Sequence, residues 1–142
     1  MRALTPAATA IVARGLERSA SFRTLVQRLD RSDVVVYVKD DRMLTRALAA
    51  RLNFMASAGG LRYVIVHVAR RLTASQQVAS LGHELQHAIE IAERPGIVDG
   101  RSLADEYAAF AIVGALAHGI PNTFETYRAM TTAQRILGEL MP

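Results

Sequence analysis

The stretch Leu81-Gly82-His83-Glu84-Leu85-Gln86-His87 decides how the rest of the chain is read. It lies inside a segment of helical spacing, Ala74 to Glu93, stopped by Pro95-Gly96. At about 100° per residue, His83 and His87 stand roughly 40° apart on one helix face and one turn from each other, so both imidazoles can reach a single tetrahedral metal ion. Glu84 points about 100° round from His83, where a general base would address water rather than the metal. The apolar residues Val78, Leu81, Leu85, Ala88, Ile89 and Ala92 fall on the opposite face. The helix can therefore pack on a sheet while its histidines look into a cleft.

A catalytic zinc has three protein ligands and one open position, so a third ligand is sought downstream. Glu106 is the first choice: it follows His87 after 18 intervening residues and shares a stripe with Leu103, Phe110, Val113 and Ala117. A carboxylate on so apolar a helix needs a compensating cation. Asp105, Glu90 and His118 remain alternatives. Ser102 as helix cap would place Asp105 where it completes a capping box. Glu90 suits an orienting or solvated role, and His118 a transition-state stabiliser or a cation at a helix end. Glu93 stands where an extended motif carries a third histidine, but Glu90 replaces the glycine that such a motif needs. His67 reads as a strand histidine. Tyr107 and Tyr127 are the phenols available to hydrogen-bond an oxyanion.

Outward from this helix the pattern is mixed. Thr5-Pro6 opens a helical segment reaching about Leu29, read as one helix with Ser19–Ser21 as its candidate break. Val34–Val38 reads as a buried strand, Met43–Ala50 as a short helical turn, and Leu52–Ala56 with Tyr63–Val68 as a hairpin around Ala58-Gly59-Gly60. Helices follow from Leu103 to about His118 and from Thr123 to Leu140. The expectation is one α+β domain over residues 1–142: a three-stranded sheet, the histidine helix, a glutamate helix, and helices at both termini.

The 142 residues include no cysteine, which excludes disulfide frameworks and thiol catalysis and restricts a metal site to His, Asp and Glu. The net charge of +4 suggests nucleic acid, but its distribution does not. Residues 1–71 hold 13 basic and 5 acidic side chains, residues 72–142 hold 4 and 8, and only Arg70-Arg71 are adjacent. A scattered basic half facing an acidic half argues against nucleic acid as the main partner. The longest apolar run is too short to cross a membrane. A soluble protein is expected, with neither a leader nor a compartment specified.

His83-Glu84-Leu85-Gln86-His87, followed by Glu106 within Ala104-Asp105-Glu106-Tyr107-Ala108, resembles the gluzincin metallopeptidases, and in size the minigluzincins. The resemblance spans roughly residues 34–118. It implies a zincin-like fold and a zinc-dependent peptidase acting on peptide or protein substrates. His83, His87 and Glu106 would be the Zn²⁺ ligands, Glu84 the general base, and Tyr107 or Tyr127 the oxyanion partner. It further implies that a strand bordering the cleft pairs with extended peptide, here Leu61–Ala69. The competing expectation is a non-catalytic module, stabilised by zinc or binding through its arginine-rich half.

Overall fold

Val34, Val36 and Val38 are buried while the intervening Val35, Tyr37 and Lys39 are not, so one face of the sheet is covered and the other left half open. The computed structural model describes residues 1–110 and 125–141. The elements run β1 (Arg2–Ala3), α1 (Pro6–Arg18), α2 (Ala20–Asp30), β2 (Val34–Asp41), β3 (Ala50–Ala58), β4 (Leu61–Ala69), α3 (Ala74–Ala92), α4 (Gly100–Phe110) and α5 (Tyr127–Leu140). This is an α+β arrangement of five helices and a mixed sheet of four strands among the described residues, ordered β1-β2-β4-β3. The expected three strands are joined by β1, two residues that pair parallel with Tyr37 and Val38. So short an edge strand leaves no periodicity to read.

β2 and β4 are parallel, and β3 returns antiparallel on β4. The hairpin turn has φ of 59° at Gly59 and 76° at Gly60, the left-handed pair that a two-residue type I′ turn requires. Strand order corrects one expectation. β4, the Leu61–Ala69 strand expected to receive a peptide, is interior, with both edges occupied by β2 and β3. Among the described residues the long edge strand is β3, opposite the two-residue β1, and it carries a register irregularity between Phe54 and Ala56.

Three other local expectations change. The segment before Leu29 is two helices, because Ser19 ends α1 by donating its N–H to Gly15 and caps α2 by accepting from the Phe22 N–H. Gly15 permits the sharp reversal, since a Cβ there would lie 2.7 Å from the Phe22 ring. The expected helical turn Met43–Ala50 is instead bends and a turn over residues 43–49, with Ala50 already in β3. Arg71 gathers this loop by donating to the carbonyls of Leu44, Thr45, Arg46 and Leu48. α4 starts at Gly100, two residues before the expected Ser102 cap. Asp99 accepts from the Ser102 N–H, and Ser102 Oγ accepts from the Asp99 N–H. The capping box is thus Asp99 with Ser102, and Asp105 has no part in it. Residues 111–124, with the expected helix end at His118 and helix start at Thr123, lie outside the described residues.

Side chains from α1, α2 and α3 pack with the valines of β2 and β4, and Ile136 and Leu140 of α5 join the same core. α3 is the centre of the molecule: it touches all three long strands on one side and α5 on the other. Its start has a full capping box, Thr73 with Gln76. Its end is held by Arg62 of β4, whose Nη1 donates to the carbonyls of Ile91, Arg94 and Ile97 while Nε and Nη2 grip Asp33 at 2.7 Å each. Arg62 is 5% exposed, so a buried guanidinium satisfies orphan carbonyls at a helix C-terminus and locks helix to sheet.

Candidate metal centre

α3 presents the histidines as its periodicity requires. Leu81, Leu85, Ala88 and Ile89 are buried in the core, and His83 and Glu84 line a cavity of about 570 Å³. The cavity is walled by Leu48 of the loop before β3, by Ala50 and Leu52 of β3, by Ala79 of α3, and by Met130, Ala133 and Leu137 of α5. It is therefore an apolar cleft with a polar floor, bordered by the Ala50–Leu52 end of β3.

The floor has a specific geometry. His83 Nε2 and His87 Nε2 are 3.2 Å apart, and His83 Nε2 is 2.9 Å from Glu125 Oε1. One ligand atom from each of His83, His87 and Glu125 falls within 4.8 Å of the others. Ligands about 2.0–2.1 Å from a tetrahedral zinc stand about 3.3–3.4 Å from one another, so the two nitrogens already have close to that spacing. Two nitrogens and a carboxylate oxygen are also the donor types that zinc takes. Burial opposes protonation of His83, but the Glu125 hydrogen bond and the charges of Glu84, Glu125 and Glu90 outweigh it and raise its proton affinity. The floor is a place where positive charge is favoured.

The residues expected at the site divide. His83, Glu84 and His87 come together as their spacing predicts. Glu106 does not join them: its side chain is 45% exposed, and its Oε2 lies 3.8 Å from Arg94 Nε. Glu125, just ahead of α5 and 42 residues after His83, stands where Glu106 was expected. Tyr107, the neighbour of Glu106, turns inward instead. It is 2% exposed, and its hydroxyl donates to Glu90 Oε2 at 3.0 Å, behind His87. Burial, reinforced by the Glu90 charge, pushes its phenol far above the usual range and keeps it a donor. Tyr127 is 73% exposed at the start of α5 and does not line the cavity.

Of the alternatives, Glu90 supports His87 from behind: its Oε2 lies 2.9 Å from His87 Nδ1, and its Oε1 accepts from Thr126 Oγ1 at 2.8 Å. Burial alone would raise its carboxyl, but the bonds from His87, Thr126 and Tyr107 prevail and hold it below the ordinary value. Glu93 is away from the floor, bound by Arg28 and Arg128. Asp105 is exposed, and His67 pairs with Asp41. His118 lies outside the described residues. Sequence reasoning did not single out Glu125. The available signal was its position directly before Thr126, a good cap for the strongly amphipathic last helix.

Compared with known proteins, the chain matches no protein-family model, no curated protein and no solved structure. Its functional reading therefore rests on the sequence motif and the geometry of the floor.

Proposed function

We propose that the protein is a zinc-dependent peptidase of zincin type, with His83, His87 and Glu125 as metal ligands and Glu84 as general base. The observation that carries this reading is the convergence of both HExxH imidazoles and one carboxylate at the bottom of a cleft bounded by a free strand edge. Bound zinc would supply Lewis acidity, polarising a scissile carbonyl and making water a better acid.

The chain's own residues supply the rest. His83 and His87 lie one turn apart on a helix clamped at both ends, so their separation is set before any ligand arrives. Glu84, adjacent to His83 and lining the same cleft, accepts a proton from the attacking water and returns it to the leaving amine. Ala50, Arg51 and Leu52 of β3 border the cleft, where outer backbone groups that no described strand pairs can hold an extended peptide as an added strand. The apolar walls exclude water from the reacting bond.

The test is Glu84→Gln. Zinc should bind to this variant nearly as to wild type, while hydrolysis of a generic peptide library falls by at least about a hundredfold. Cleavage at the wild-type rate would remove Glu84 from the mechanism. Tight zinc binding by wild type without any hydrolysis would favour a structural metal.

A further inference from the structure

We infer that Glu90 is a positioning residue that sets two metal ligands at once: His87 directly and Glu125 through Thr126. This rests on the reading of His83, His87 and Glu125 as a metal site and adds the element that assembles it. Glu90 is 2% exposed, and a carboxylate so far from water is costly unless each oxygen is bonded. Both are. Oε2 accepts from His87 Nδ1 and the Tyr107 hydroxyl, and Oε1 accepts from Thr126 Oγ1.

Each bond has a consequence at the floor. An acceptor on Nδ1 places the His87 proton there and leaves the Nε2 lone pair facing His83, the tautomer that a metal needs. Thr126 is 6% exposed, caps α5 by accepting from the Ala129 N–H, and directly follows Glu125. Anchoring its hydroxyl to α3 fixes the backbone that carries the third ligand. The ligands come from segments far apart in sequence, and Glu90 is bonded to His87 in one and to Thr126, the neighbour of Glu125, in the other. Tyr107 completes the arrangement from α4, so three helices meet on one carboxylate.

The experiment measures zinc affinity by chelator competition on the full chain, below its melting temperature, with imidazole ¹⁵N signals recorded on the zinc-free protein. Glu90→Gln keeps the size but removes one acceptor oxygen, and Thr126→Val removes the hydroxyl. Each should weaken zinc binding by about 10- to 100-fold. Thr126→Ser should restore wild-type affinity, and the double variant should be no weaker than Glu90→Gln alone. In Glu90→Leu, which offers Nδ1 no acceptor oxygen, the Nδ1-protonated signature of His87 should also be lost. A Glu90→Gln protein that melts lower but binds zinc within about twofold of wild type would reduce Glu90 to a structural clip and overturn the inference, leaving the metal site intact. Should Glu90→Gln not fold, Thr126→Val decides: unchanged affinity there overturns the inference equally. Absence of zinc binding by wild type would overturn the metal-site reading and this inference with it.

Discussion

His83 Nε2 and His87 Nε2 face each other at 3.2 Å, and only one proton can sit between two such nitrogens. The pair is thus arranged around a point that a cation would occupy. On the proposed reading the protein should bind one zinc ion, His83→Ala should reduce the affinity by more than about a hundredfold, and Glu125→Gln should weaken it markedly. Glu106→Gln, which disturbs only the pairing with Arg94, leaves it unchanged. Metal analysis and chelator competition on these variants provide the check. A loss of zinc in Glu106→Gln but not in Glu125→Gln would reverse the ligand assignment.

Gly82 sets how closely α5 approaches the histidine helix, because a Cβ there would overlap Ile136 Cδ1, itself fully buried. In a helix interior Gly→Ala normally stabilises by about 1 kcal/mol. Here overpacking should outweigh that gain, for a net loss of about 1–2 kcal/mol in denaturant unfolding. Trimming the partner, as in Gly82→Ala with Ile136→Val, should recover part of the loss. A Gly82→Ala protein more stable than wild type would show that α5 is free to shift.

Arg62 and Asp33 connect helix stability to acidity. The Arg62 hydrogen bond holds the Asp33 carboxyl below its ordinary value of 3.8. A depressed folded-state value gives stability that is present above the ordinary value and is lost as pH falls through the folded one. Arg62→Met should cost about 3 kcal/mol near neutral pH, because the carbonyls at the end of α3 lose their donor while Asp33, 42% exposed, can rehydrate. Its urea midpoint should also fall less steeply than that of wild type between about pH 5 and pH 3. Parallel acid profiles would deny Asp33 this role.

The hairpin turn fixes the register of the edge strand that borders the cleft. Gly59→Asn, which tolerates the left-handed region, should leave stability within about 0.5 kcal/mol of wild type. Gly59→Val should cost about 1–3 kcal/mol. Thermal melts distinguish the two, and equal costs would mean that the turn can change type.

Much of this site was legible because helical periodicity is local. The positions of His83, Glu84 and His87, and the apolar face behind them, follow from 3.6 residues per turn. The proposed third ligand was not legible in the same way. A stripe argument placed Glu106 inward, but α4 is capped by Asp99, and Arg94 just beyond α3 supplies the cation that Glu106 was thought to need. Tyr107, about 100° further round, took the inward position. Glu125 reaches the floor only through the tertiary contact of α5 with α3, which no short window contains. Strand order was hidden for a similar reason: period-2 alternation identifies the buried face of β4 but not which strand lies at the edge.

The irregularity at Met55, between Phe54 and Ala56, ends the straight part of the β3 edge. Ala50–Phe54 then offers a track about 17 Å long, enough for roughly five residues of extended chain. On the peptidase reading, a compact protein could not present such a length without first opening a segment, so cleavage would follow the local unfolding of the target more closely than its residue preferences. The same irregularity separates Ala50–Phe54 from Ala56–Ala58, so the strand offers a second copy no continuous edge longer than those five residues.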